Sequence, residues 1–183
     1  MAGRCALHHK GSTTSVNMTA TMASSGTFRV GLISDTHGLL RPEALDALRA
    51  SDCIVHAGDI GDPRILEQLA GIAPVTAVRG NNDRGPWAAA LRETEVLQLG
   101  MALIYVIHNV SEIDVDPAAA GFHVVVAGHT HRPRHEIREG VHFVNPGSAG
   151  PRRFRLPVSI GSLTVCGSAV TAQLTELKVR GAA

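Results

Sequence analysis

Phe28-Arg29-Val30-Gly31-Leu32-Ile33-Ser34 runs straight into Asp35-Thr36-His37. The first seven residues are apolar nearly throughout, the pattern of a parallel strand covered on both faces. A crossover follows. Pro42 suits the first turn of a helix, and 43–50 sets Ala44, Leu45 and Leu48 on one stripe. A second short apolar strand spans 53–57. Asp62-Pro63 then reads as a cap followed by proline at the first helical position, with Ile65, Leu66 and Leu69 inward and Gly71 near the stop. A third strand covers 75–78. This β-α-β-α-β order implies a parallel sheet with right-handed crossovers.

The second half changes character. Segments 95–99 and 101–107 flank Gly100 as a hairpin, 122–127 is a strand, and 141–144, 158–165 and 169–177 are further strands. With 183 residues the chain makes one ordinary domain rather than two. The expected architecture is α/β, two β-sheets packed together with helices outside.

Composition narrows the function classes. At 44% hydrophobic and 18% charged the chain is an ordinary globular one, and aromatics at 3% leave the core to Val, Ile, Leu and Ala. That scarcity argues against single-stranded nucleic-acid binding through stacking platforms. Seventeen basic against sixteen acidic residues give no global field for DNA or an acidic membrane, so any anion attraction is local. Cys5, Cys53 and Cys166 are far apart and odd in number, which disfavours a disulfide framework and makes a reducing cytoplasm the expected location. No apolar run has the length of a membrane span. Residues 1–27 are rich in Ser, Thr, Gly and Ala without an acid. They read as a disordered tail, or as an over-long start with Met18 or Met22 as first residue, leaving 28–183 as the domain.

The chemistry lies at the strand ends. Asp35 and His37, Asp59 of Gly58-Asp59, and Asn81 of Gly80-Asn81 follow the first three strands at roughly twenty-residue intervals, about one strand–helix unit each. In open α/β sheets ligands bind beyond the carboxyl ends of strands. His108 follows a later strand, and His129 and His131 follow another. Residues two apart in an extended segment project to one side, so Asp35/His37 and His129/His131 can each reach one cation. Two carboxylates, four imidazoles and one amide suffice for two divalent cations sharing an aspartate. Mixed oxygen and imidazole donors favour Mn, Fe, Co, Ni or Zn over Mg or Ca. Such a pair attracts a phosphate and acidifies water, which points to hydrolysis of a phosphate ester. Taken singly, each of these residues reads more readily as a turn or a satisfied core side chain; the ordered set does not. Asp83 suits orientation of a ligand or a cap. Arg79, Arg84 and Arg132 beside the motifs suit phosphate contacts or solvated surface equally. His56, His123, His135 and His142 suit packing or surface roles, with His56 the one candidate to support a ligand.

Asp-x-His, Gly-Asp, Gly-Asn-x-Asp, a lone His after a strand and Gly-His-Thr-His together resemble the calcineurin-like metallophosphoesterases. Val55-His56-Ala57-Gly58-Asp59, Val78-Arg79-Gly80-Asn81-Asn82-Asp83 and Asn145-Pro146-Gly147-Ser148 are similar to the small single-domain phosphodiesterase branch. The resemblance implies a four-layer α/β/β/α sandwich of two mixed sheets flanked by helices. It further implies a dinuclear site, commonly active with manganese. One metal would take Asp35, His37 and His131, and the other Asn81, His108 and His129, with Asp59 bridging. A bridging hydroxide would attack phosphorus in line, so that Asp59, Asn81 and His108 act in catalysis through the metals. The substrate would be a small phosphodiester. No membrane or sequence-specific nucleic acid is expected as partner, and a homo-oligomer is left open. Two departures stand out. Asn82 replaces a leaving-group histidine, which biases hydrolysis toward good leaving groups. Asn109 replaces a glycine, and tolerance of left-handed backbone would let it stand in. Two other readings share this fold: a non-catalytic scaffold like the retromer subunit, and a dinucleoside polyphosphate hydrolase, against which no insertion for a nucleobase pocket is visible.

Overall fold

The computed structural model describes residues 18–22 and 26–179. In chain order the elements are β1 (Met18–Met22), β2 (Thr27–Ile33), α1 (Pro42–Leu48), β3 (Cys53–His56), α2 (Pro63–Ala70), β4 (Val75–Ala77), α3 (Pro86–Ala89), β5 (Thr94–Leu99), β6 (Ala102–Ile107), β7 (Val124–Val126), β8 (Arg134–Arg138), β9 (Val141–Asn145), β10 (Ser159–Cys166) and β11 (Ala169–Glu176). They form a five-stranded sheet in the order β11-β10-β2-β3-β4 and a six-stranded sheet in the order β1-β5-β6-β7-β9-β8. The expected parallel order holds: β2, β3 and β4 run parallel. In the other sheet β6, β7 and β9 are parallel too. Both sheets are mixed, since β10 and β11 run antiparallel in one and β5 and β8 in the other.

Alternation along the strands makes two cores from one sheet. Val30, Leu32 and Val55 meet Leu97, Ile104, Val106, Val124 and Val126 between the sheets, while Ile33 and Ile54 turn to the other face, under Leu48 and Leu69 of the helices. Burying each such side chain contributes about 1.5–3 kcal/mol. A Cβ on Gly31 would lie 2.4 Å from Leu48 Cδ2, so this glycine lets α1 press onto β2. At α2 the Asp62 side chain accepts from Arg64 N and Pro63 opens the helix, as the sequence implied. The outer face of the six-stranded sheet is covered thinly. Val96, Tyr105, Ile107 and Val125 pack under a loop carrying Ile113, Val115, Ala118 and Phe122 rather than under a long helix.

Some elements differ from the sequence reading. Within the expected tail 1–27, Met18–Met22 forms β1, paired parallel to β5. Without it the backbone donors and acceptors along β5 would be an open edge. Residues 1–17 and 23–25 lie outside the described residues, and the boundary at Phe28 falls inside β2. The hairpin closes through Gly100-Met101 with Leu99 opposite Ala102, and Gly100 takes φ 57 as the first of two turn residues. β8 and the four-residue α3 are additional. No helix among the described residues is long and apolar enough to cross a membrane. The carboxyl ends of β2, β3, β4, β6 and β7 carry the ligand candidates, and the two sheets meet along that rim.

Candidate metal centre

The segment after β2 turns sharply. Asp35 N donates to Gly58 O at 3.0 Å, and His37 N donates to Asp59 O at 2.9 Å, which stitches the β2 and β3 loops together. The turn puts Asp35 at φ 53 and His37 at φ 45, while Asp59, His129 and His131 sit at φ 55, 68 and 58. Left-handed backbone disfavours any residue with a Cβ by roughly 1–2 kcal/mol. Five of the seven candidate ligands carry that strain, although two apart in an extended strand they would not have needed it. The pairs Asp35/His37 and His129/His131 therefore converge through curled loops, which corrects the extended geometry read from the sequence.

Two clusters result. His131 Nε2 lies 3.2 Å from Asp35 Oδ1 and 3.3 Å from His37 Nε2, with His37 Nε2 3.9 Å from Asp35 Oδ1. Asn81 Oδ1 lies 3.0 Å from His108 Nε2 and 3.0 Å from His129 Nδ1. Asp59 stands between: its Oδ2 is 3.8 Å from His37 Nε2 and its Oδ1 is 3.5 Å from His108 Nε2. All seven predicted residues are thus brought to one place.

The donor set fits cations. Asp35 Oδ1 is buried without a hydrogen-bond partner, a position that is unfavourable for a carboxylate unless something positive meets it. Asp35, His37 and His131 present ligand atoms all within 4.8 Å of one another, as do Asp35, Asp59 and His108. His108 Nδ1 donates to Ala57 O at 2.7 Å, which leaves Nε2, facing Asn81 and Asp59, as the nitrogen that a cation would take. Burial holds the His37 imidazole below its ordinary pKa, opposed by Asp59 and helped by Arg153. Burial also disfavours charge on His108, yet bonding to Asp59 and Ala57 outweighs it and the pKa rises. Asp59 is the complement: burial pushes its pKa up, but His108 and Asn82 more than reverse this and it falls well below the carboxylate range.

Supporting groups surround the candidate ligands. Ser34 Oγ donates to Asp35 Oδ2 at 2.8 Å and His129 N donates to the same oxygen at 3.1 Å. Ser148 Oγ donates to Asp35 O at 2.8 Å, and Asn145 Nδ2 donates to Gly128 O at 2.6 Å, so the Asn-Pro-Gly-Ser segment shapes the loops. Asp83 accepts from Gly61 N and Gly80 N, each at 2.8 Å, which is the orienting role expected of it. His56 is fully buried; its Nδ1 accepts from Gly58 N at 3.2 Å and its Nε2 meets Thr36 Oγ1 at 2.9 Å. Sequence reasoning missed Asn82 as a clamp, whose N and Nδ2 donate to Asp59 Oδ1 and Oδ2 at 2.8 and 2.5 Å. Asn109 also differs: at φ −111 it is extended, and its side chain accepts from Ser111 N, so His108 is placed by Ala57 and not by a left-handed neighbour. Glycines let the loops touch. A Cβ on Gly80 would stand 2.1 Å from Asp59 N, and one on Gly128 would stand 2.0 Å from Ser34 Oγ.

From Asn81, His108 and His129 an open groove of about 1250 Å³ leads away past Arg84 and Ala88 to Val96, Tyr105 and Ile107. Arg79 lines it but is paired with Glu93. Arg132 instead lines a separate, smaller cavity with Arg134 and Phe143. His135 stacks on His142, and His123 Nδ1 accepts from Leu103 N, so these three do not join the centre.

Comparison with known proteins agrees with this geometry. The model of the calcineurin-like phosphoesterase superfamily domain matches residues 28–168. A probable metallophosphoesterase from Methanothermobacter thermautotrophicus is 34% identical over 156 residues, covering 79% of this chain and 90% of that protein. Vacuolar protein sorting 29 from Cryptosporidium parvum shares the fold with a TM-score of 0.71 at 22% identity, over 83% of this chain and 92% of that one. An archaeal phosphodiesterase does so with a TM-score of 0.67 at 20% identity, over 80% and 99%. Fold, ligand cluster and sequence match converge, and the chain belongs to the calcineurin-like phosphoesterase superfamily.

Proposed function

We propose that this chain is a dinuclear metal-dependent phosphodiesterase of the cytoplasm. The observation that carries the reading is one buried carboxylate, Asp59, facing two clusters of ligand atoms at 3.8 and 3.5 Å. In this reading Asp35, His37 and His131 hold one cation, Asn81, His108 and His129 hold the other, and Asp59 serves both. Divalent cations there, manganese first and Fe, Ni, Co or Zn as substitutes, supply the Lewis acidity that activates water and offsets phosphate charge.

The chain's own side chains do the rest. Asn82 fixes the rotamer of Asp59, and the bond from His108 Nδ1 to Ala57 O fixes the tautomer that a ligand needs. Asn81 and His129 are exposed, so a substrate reaches the centre from solvent. Asn82 has no proton to give to a departing alkoxide, which favours esters with acidic leaving groups. A groove next to the centre suits the second substituent of a diester, which a monoester lacks. The fold likeness to an archaeal phosphodiesterase supports the same choice. The scaffold alternative calls for a large exposed apolar patch. Among the described residues the exposed large hydrophobics, Leu39, Met101, Val110, Ile137 and Phe154, come from five separate segments of the sequence.

The test is hydrolysis of bis(p-nitrophenyl) phosphate and of p-nitrophenyl phosphate by protein stripped of metal and resupplied with single cations. Manganese should stimulate hydrolysis, the diester should be preferred, and Asp59→Asn should abolish turnover. No turnover with any of the five cations overturns the reading.

A further inference from the structure

Beyond the ligand loops, the chain between β9 and β10 carries Pro151-Arg152-Arg153-Phe154-Arg155-Leu156-Pro157, three arginines around one aromatic with no acid among them. Its base is held against the centre. Ala149 N donates to Ser34 O at 3.0 Å, Ser148 Oγ to Asp35 O at 2.8 Å, and Arg41 Nε to Gly150 O at 3.0 Å. Gly150 lies so close that a Cβ there would be 2.2 Å from Thr36 O. A bridge between Ser148 and Val158 closes the loop. One end is therefore pinned to the segment that carries Asp35 and His37, and the other end is held to the first.

The tip departs from what folding alone would choose. Leu156 N donates to Arg153 O at 3.1 Å, which makes a turn with Phe154 as its first central residue at φ 53. That position favours glycine or asparagine. A phenylalanine there is strained, and the residue is 94% exposed, the most exposed large hydrophobic among the described residues. Arg152, Arg153 and Arg155 are exposed, and among the described residues none has a carboxylate partner. Arg49, Arg64, Arg79, Arg134 and Arg138, by contrast, all sit against Asp or Glu. Unpaired cations and a presented ring at the edge of a phosphate site answer to a ligand that carries a further phosphate and a planar base.

We infer that loop 151–157 is a recognition surface for the nucleoside side of a nucleotidic phosphodiester, with Phe154 stacking on one base and Arg152, Arg153 and Arg155 meeting an additional phosphate. The inference rests on the phosphodiesterase reading for where the scissile group lies. One exposed ring matches one base rather than a long strand, and the groove past Asn81, which no residue of this loop lines, is left for the second substituent.

Binding is measured by titration calorimetry in EDTA, where no turnover occurs, and again with manganese. The probes are the 5′-phosphorylated dinucleotide pTpT and glycerophosphoglycerol, a diester without a ring. Phe154→Ala should weaken pTpT about tenfold more than glycerophosphoglycerol, Phe154→Tyr should restore it, and the exposed-surface control Ile137→Ala should change neither. Replacing the three arginines with glutamine should flatten the log–log salt dependence of pTpT binding by roughly 0.7, for the one additional phosphate they meet. Failure of pTpT to bind in either condition, or equal effects of Phe154→Ala on both probes, overturns the inference. Ring discrimination without hydrolysis of any diester would instead sink the catalytic reading and leave the loop's role standing.

Discussion

Left-handed backbone at Asp35, His37, Asp59, His129 and His131 has to be held by neighbours, and His56 is one of the fully buried holders. It ties Gly58 N to Thr36 Oγ1, and Thr36 Oγ1 donates onward to Ile60 O. A ring accepting at Nδ1 and donating at Nε2 must be neutral. Burial accordingly pushes its pKa from 6.5 down to about 4, against a raising contribution from Asp35. The sign of the linkage follows. Between about pH 6.5 and 4 the unfolded chain binds a proton that the folded chain refuses, so stability falls as pH falls through that window and levels off below it. The full depth is roughly 3 kcal/mol. His108, with a raised pKa, acts oppositely: its contribution is present at lower pH and lost as pH rises past its folded value. Denaturant melts of metal-free protein in steps from neutral pH to pH 4 should show the loss, and His56→Gln should flatten it. An unchanged slope in the variant would assign the acid sensitivity elsewhere.

The loops after β3 and β4 are joined by one carboxylate, since Asp83 accepts from Gly61 N with one oxygen and Gly80 N with the other. Asp83→Ala removes both acceptors and leaves two amides without them, at about 1–3 kcal/mol. Asp59 and Asn81 flank those amides, so manganese affinity should drop roughly 10–100-fold, the range for groups that orient ligands. Manganese titration checks this, and a variant that is less stable yet binds the metal unchanged would confine Asp83 to folding. How visible such elements were beforehand differs. Phe28–Ser34 was legible from its apolar run, and the two proline-opened helices because apolar period and proline coincide there, with a cap as well at Asp62. The ligand set was legible because each motif ends a strand. β8 was not: Arg134-His135-Glu136-Ile137-Arg138 is an edge strand, and charge on an edge hides the alternation that marks a strand. β1 escaped because pairing to β5, and not composition, makes it a strand. The curled ligand loops were hidden too. Only Gly58 and Gly128 hinted at them, and nothing local to Asp35 or His37 predicts a positive φ.

Across the whole molecule the centre joins the two sheets. Asp35, His37, Asp59 and Asn81 follow strands of the five-stranded sheet, whereas His108, His129 and His131 follow strands of the six-stranded one. Between the sheets the core contact is apolar side chains, and a few hydrogen bonds, such as those from His108 to Ala57 and from Ser148 to Asp35, join the rims without fully fixing how they align. Ligand atoms aimed at common points do fix it. They exist as a set only in the folded chain, so a cation bound there stabilises the folded state by mass action, about 2.7 kcal/mol at a hundred times its dissociation constant. Thermal melts with increasing manganese should therefore show a rising Tm that chelation reverses. Because the donors come from both sheets, Asp35→Asn and His131→Ala should each remove most of that rise, although they lie 96 positions apart by number and on different sheets. If His131→Ala left the rise intact while Asp35→Asn abolished it, the cation would belong to one sheet alone. The two halves of the chain would then be held by their shared apolar core and the hydrogen bonds of the rim.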